Sequence, residues 1–154
     1  MKVIFLDFDG VLNSNAYLMR SGGQGVTIDP ARMVLLKQIV DATGAKIVLS
    51  SSWRLHWSAV PEECNFTGRQ IEEIFAAHEM KIWDKTPTVG RRREGQIKQF
   101  LDDHPEIENF VVLDDMLLYA DYLEGHMVKT AAYFEGLDAA DVGKAIEILT
   151  RHES

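Results

Sequence analysis

Three short apolar segments of the chain end in groups that can do chemistry. Val3 to Leu6 runs into Asp7, Phe8, Asp9 and Gly10, Ile47 to Leu49 runs into Ser50, Ser51 and Ser52, and Phe110 to Leu113 runs into Asp114 and Asp115. An unpaired charge at the end of a buried run is costly, so acids placed there need a cation to receive them. Hard divalent cations such as Mg²⁺ prefer oxygen ligands and commonly combine one or two carboxylates with substrate phosphate oxygens. Asp7 and Asp114 fit that requirement, and the ion reverses a local field that would otherwise repel a phosphate dianion. In a regular strand Asp7 and Asp9 would face the same way about 6.6 Å apart, too far to share a proton but close enough to flank a reacting phosphorus. A carboxylate in such a place can act as nucleophile and form an aspartyl phosphate. A second carboxylic acid can protonate the leaving oxygen and later take a proton from water. Gly10 lets the backbone turn closely past the phosphate. A hydroxyl at the second strand's end and a cation from Arg92 or Arg93 would hold the remaining phosphoryl oxygens.

These groups meet only if the elements that carry them share an edge. Lys2 to Leu6, the "KIVL" segment, a short strand at "MKIW", "NFVVL" and "HMVKT" read as strands, and continuous apolar character is what strands covered on both faces show. Between them lie helical patterns. "DPARMVLLKQIVDATG" has Asp29 as cap, Pro30 at the first helical position and Gly44 as stop. "TGRQIEEIFAAH" starts with a capping box from Thr67 to Gln70 and puts Ile71, Ile74, Phe75 and His78 on one face. "GRRREGQIKQFLDDHP" enters through its arginines, ends before Pro105 and turns Ile97, Phe100 and Leu101 inward. The last helix is capped by Asp138, with Val142, Ile146 and Leu149 inward. Residues 11–28, with Gly22, Gly23 and Gly25, are expected to form a small flap without a regular helix. Strands alternating with helices predict a parallel α/β sheet, whose ligands bind outside the carboxyl ends of the strands.

Size and charge bound the function. The 154 residues suit one compact domain, expected over residues 1–154. With 24 Asp and Glu against 16 Lys and Arg, the net charge of -8 argues against a broad nucleic-acid surface while leaving room for a local basic patch. Cys64 is the single cysteine, so no internal disulfide forms, and neither a charged leader nor a membrane-spanning run is expected. The expectation is a cytoplasmic protein without membrane insertion. His56, His78, His104, His126 and His152 are scattered, with no metal-ligating spacing.

Taken together, "FLDFDGVLN", "IVLSSSWR" and "VVLDD" resemble, in order and position, the first, second and fourth motifs of the haloacid dehalogenase (HAD) superfamily of phosphohydrolases. The series "SSSWR", "TP", "RRREGQI" and "LDD" is most similar to the small HAD-type domains of RNA and polynucleotide repair phosphatases. The resemblance implies a three-layer Rossmann-like domain with a central parallel sheet in the order 3-2-1-4-5, a small flap and no large cap. It implies Asp7 as nucleophile and Mg²⁺ ligand, and Asp9 as general acid and base whose backbone carbonyl also meets the metal. Asp114 becomes the metal carboxylate, supported by Asp115. Ser51 matches the phosphoryl hydroxyl because it lies two before Trp53, as in related T-x-W sequences; Ser50 is its rival. Where the family usually carries a lysine as its third motif this chain has arginines, of which Arg93 matches best and Arg92 is the alternative. Arginine binds a phosphoryl group through a bidentate fork. Trp53, Arg54 and Trp57 follow the serines and either line the mouth of the site or complete the core. An uncapped site would admit a phosphorylated polynucleotide end or another bulky phosphate ester as well as a small molecule. Two other readings start from the same acids: a receiver-like signalling domain that accepts a phosphoryl group on Asp, and a HAD-type binding module without turnover.

Overall fold

The computed structural model describes residues 1–22 and 27–151; Gly23, Gly25 and His152 lie outside them. In chain order the elements are β1 (Lys2–Leu6), α1 (Asn15–Ser21), α2 (Pro30–Thr43), β2 (Lys46–Leu49), α3 (Phe66–Ala77), β3 (Ile82–Lys85), α4 (Arg93–Asp103), β4 (Asn109–Asp114), β5 (Met127–Lys129) and α5 (Ala139–Thr150). Short 3-10 turns occupy Ser52–His56, Pro61–Glu63 and Asp121–Leu123. The strands form one parallel sheet in the order β3-β2-β1-β4-β5, as the sequence resemblance implies.

Both faces of the sheet are covered, which is why its strands are apolar throughout rather than alternating. Ile4, Leu6, Ile47, Leu49, Val111 and Leu113 pack with Met33, Leu36 and Ile39 of α2, Ile71 and Phe75 of α3, and Val142, Ala145 and Leu149 of α5. Val3, Phe5, Val48 and Val112 face the other way, onto Ile97 and Phe100 of α4 and Leu118 and Leu123. Phe5 meets Phe100 edge-on at 5.7 Å. Burying each such side chain is worth about 1.5–3 kcal/mol, so the sheet is fixed from both sides.

Register turns this packing into a site. Leu6 stands level with Leu49 on one side and Leu113 on the other. One residue further, Asp7, Ser50 and Asp114 therefore stand in one row, and the alternation of the pleat turns that row toward the face that α4 covers. Backbone bonds carry the ladder over this row, from Asp7 N to Leu113 O (3.0 Å), Ser50 N to Leu6 O (3.0 Å) and Thr130 N to Asp114 O (2.9 Å).

Three local expectations are corrected. Residues 11–28 do contain a regular helix: Ser14 caps α1 through Tyr17 N, and the left-handed Gly22 ends it. The helix buries none of its residues. The cap of α3 is Asn65, whose side chain accepts from Gly68 N, not a Thr67 to Gln70 box. The cause is tertiary: Gly68 lies so close to the turn before it that a Cβ there would stand 1.9 Å from His56 O. Finally, β1 ends at Leu6 and the chain turns through Gly10, so Asp7 and Asp9 do not share a regular strand. The expected cap of α2 at Asp29, its stop at Gly44 and the cap of α5 at Asp138 are all present.

The close approach at Gly68 gives a stability test. Gly68→Ala should cost about 1–3 kcal/mol through forced separation of α3 from the Ser52–His56 turn. Gly143→Ala, in α5 with open space around it, should add about 0.5–1 kcal/mol. Urea unfolding of the two variants checks the contrast.

Candidate active site

The row at the sheet edge carries a concentration of negative charge. Asp7 and Asp114 are buried, Asp115 is half-buried, and one carboxylate oxygen from each lies within 4.8 Å of the others. Asp114 Oδ1 accepts from Met116 N at 2.9 Å. Its Oδ2 accepts from Arg93 Nη1 at 2.6 Å, and the same nitrogen lies 3.4 Å from Asp7 Oδ2. Arg93 is thus the arginine that α4 brings into the site; Arg92 is exposed and forms no ion pair among the described residues. Gly10, at φ 82°, has no room for a side chain, because a Cβ would stand 2.6 Å from that of Asp115.

Electrostatics follow from this crowding. Burial, then repulsion by Asp114, pushes the Asp7 carboxyl up to about 8, with Arg93 pulling the other way. Burial and hydrogen bonding with Asp114 raise Asp115 as well. Burial alone would lower the Arg93 pKa, but Asp7 and Asp114 more than offset it and the net shift is upward. One guanidinium does not balance three carboxylates.

Asp9 stands apart from that cluster. It is exposed, and its carboxylate accepts from Trp53 Nε1 at 3.3 and 3.4 Å and from Asn13 Nδ2 at 3.2 Å. Asn13 also accepts from Gly10 N at 3.0 Å and donates to Thr27 O at 3.0 Å, so one amide pins both the turn and its acid. Trp53 is thereby placed beside Asp9.

The two serines differ. Ser51 Oγ accepts from Trp53 N at 3.1 Å, which caps the following turn and leaves its own proton to donate. Ser50 Oγ is buried and has no hydrogen-bond partner among the described residues. Both lie at the edge where the acids meet. Arg54 is buried, not at the surface of the mouth, and binds Thr86 O, Ser51 O and Gln96 Oε1. Trp57 is in the core, with its indole donating to Glu72 at 2.5 Å.

Sequence reasoning left out Asn13, Thr86, Gln96 and Thr130. Thr130 Oγ1 donates to Gly10 O at 2.6 Å and ties the end of β5 to the D-x-D-G turn. Asn13 alone had a local signal, since an Asn just past a tight turn commonly bonds its backbone. The others act across long separations that no local pattern reveals.

The residues present suit a divalent cation. Hard carboxylate oxygens, closely spaced, two of the three groups buried, with too little positive charge among them, form the donor set that Mg²⁺ takes. Asp7, Asp114 and Asp115 are the side chains that could hold it.

Comparison with protein families places residues 3–142 in a match to the HAD domain in Swiss Army Knife RNA repair proteins. No curated protein and no solved structure matches the chain. Among the described residues, no helix is long and apolar enough to cross a membrane.

The carboxylate cluster predicts how stability varies with pH. The folded-state pKa of Asp7 lies above its unfolded value, so protonation favours the folded chain; this stabilisation is complete below 3.8 and lost as pH rises through about 8. In EDTA, urea unfolding should show stability falling across that window. Asp7→Asn should flatten the fall, and Mg²⁺ should raise the melting temperature more at pH 8 than at pH 5.

Proposed function

The chain belongs to the family of HAD domains found in Swiss Army Knife RNA repair proteins, and from that membership and the site's geometry we propose that it is a Mg²⁺-dependent phosphomonoesterase acting through an aspartyl phosphate on Asp7. The observation that carries the reading is the convergence of Asp7, Asp114 and Asp115 within 4.8 Å, with Arg93 on two of them, at the carboxyl edge of the sheet.

Bound by Asp7, Asp114 and the Asp9 carbonyl, with Asp115 behind them, Mg²⁺ would supply the positive charge that draws a phosphate dianion into an acidic pocket and polarises its oxygens. Asp7 must be ionised to attack; burial and the neighbouring acids raise its pKa, and a cation held beside it would favour the ionised form. Its Oδ forms a bond to phosphorus as the bond to the leaving oxygen breaks. Asp9 gives that oxygen its proton and then accepts one from water, whose oxygen attacks phosphorus and releases phosphate from Asp7. Trp53 and Asn13 hold Asp9 in place for both transfers. Ser51, with Ser50 beside it, and Arg93 donate to the phosphoryl oxygens, where charge builds up in the transition state.

The substrate we favour is a phosphorylated polynucleotide end. The described part of residues 11–28 contributes only α1, which buries no residue and leaves the site without a large cap. The acidic balance of the chain restricts contact to a strand end rather than a long duplex. The family match to a domain of RNA repair proteins supports the same choice.

Phosphate release from an aryl phosphate and from 3′- and 5′-phosphorylated oligonucleotides tests both parts. EDTA should abolish turnover. Asp7→Asn should lower kcat by about 10³-fold or more, and Asp9→Asn by about 10²–10⁴-fold. Turnover that survives EDTA or Asp7→Asn would refute the mechanism; a strong preference for one small metabolite would refute the substrate.

A further inference from the structure

Arg54 is the one lysine or arginine that is buried among the described residues, at 7 % exposure. Its Nε donates to Thr86 O at 3.2 Å, Nη1 to Ser51 O at 3.1 Å and Nη2 to Gln96 Oε1 at 3.1 Å. All three acceptors are neutral, and no described carboxylate pairs with it. A buried guanidinium without a counter-ion is costly, and hydrogen bonds to amides and carbonyls offset only part of that cost. Arg93 makes matters worse: burial first, then repulsion from that second cation, lowers the Arg54 pKa. The three bonds satisfy the donors they use but bring no negative charge to the guanidinium.

A second deficit lies at the same strand end. Ser50 Oγ is buried with no partner among the described residues, and Ser50 stands in the row of Asp7 and Asp114. One end of β2 thus collects a cation lacking an anion and a hydroxyl lacking an acceptor. Two of the five N–H groups of a guanidinium also remain after the three bonds above. A phosphoryl group, with two negative charges and several acceptor oxygens, meets both deficits at once.

We propose that Arg54 is a positioning residue of the phosphoryl site. It clamps the carbonyl of Ser51 and, through Gln96, the first turn of α4, so that Ser51 and Arg93 are presented together. Its uncompensated charge makes the serine side of the pocket favour a phosphoryl dianion over water or chloride. The proposal rests on the Asp7-centred reading for where the phosphate sits, but it concerns anion binding and not turnover.

The test compares wild type, Arg54→Gln and Arg54→Lys in Mg²⁺, using inorganic phosphate as probe. Melting temperature is measured in phosphate and in chloride of equal ionic strength, alongside kcat and KM for an aryl phosphate. Arg54→Gln should lose most of the phosphate-induced rise in melting temperature and show a KM at least tenfold higher. Arg54→Lys, which keeps the charge but lacks the planar fork that spans the three separated acceptors, should retain part of that rise and lose more in kcat than in KM. An Arg54→Gln protein of lowered intrinsic stability but unchanged phosphate shift and KM would reduce Arg54 to a staple and overturn the proposal. If Arg54→Gln does not fold, Arg54→Lys decides, because wild-type kcat and KM in that variant overturn it equally. Loss of phosphate binding in Arg54→Gln, with a wild type that hydrolyses no ester, would leave the Arg54 site standing and remove the phosphatase reading. Normal phosphate binding in an active Arg54→Gln protein would do the reverse.

Discussion

The central constraint is an imbalance of charge. Three carboxylates are brought within 4.8 Å at the end of a buried sheet, and the one cation bonded among them is Arg93. Packing two of these acids away from water is unfavourable by itself, and their mutual repulsion adds to it. Such an arrangement is kept only where the rest of the fold over-determines it. The residues present are a donor set that a divalent cation could occupy.

The over-determination is visible in the backbone. The ladder runs one residue past β1 and β2, and Thr130 N reaches Asp114 O at the end of β4, so Asp7 and Asp114 cannot move apart without breaking inter-strand bonds. Thr130 Oγ1 then fastens the D-x-D-G turn from the far side. The short antiparallel bridge between Ala131 and Gly136 carries this support on, with Leu137 N bonded to Val11 O. At Gly136 a side chain would press on three backbone carbonyls of that same turn, those of Gly10, Val11 and Asn13. Both glycines, 10 and 136, are required by close approach and also by their positive φ of 82° and 76°. On the opposite side, α4 is held by Ile97 and Phe100 in the core, which fixes where Arg93 can reach.

Much of this was legible from residue order. Strands buried on both faces are apolar throughout, so their polar ends mark one edge, and alternation with helices makes the sheet parallel. That logic places Asp7, Ser50, Ser51, Asp114 and Asp115 together from the sequence alone. It fails where a local preference competes with packing. Thr67 and Gln70 have capping-box spacing, but Asn65 is a stronger cap and Gly68 must lie against His56 O, so α3 begins earlier. In residues 11–28 the glycines suggested an irregular flap, but Ser14 precedes them and starts a helix that Gly22 then ends. Arg54 was equally open between mouth and core, because its partners Thr86 and Gln96 lie 32 and 42 residues away in the chain.

The site therefore divides along the sheet into two electrostatic halves. Over β1 and β4 the acids outnumber the positive charge available to them; at the end of β2, Arg54 has no acid and Ser50 no acceptor among the described residues. Arg93 lies between, bonded to the acidic side and close enough to the basic side to be felt by Arg54. A magnesium phosphate ester has the same polarity, with its cation at one end and its anionic oxygens at the other. Each half of the site lacks what the corresponding half of that ligand would bring, so a single binding event of the proposed kind would relieve the fold's two local penalties. Neither half alone accounts for the other, and a lone metal ion or a lone anion would leave one of them uncompensated.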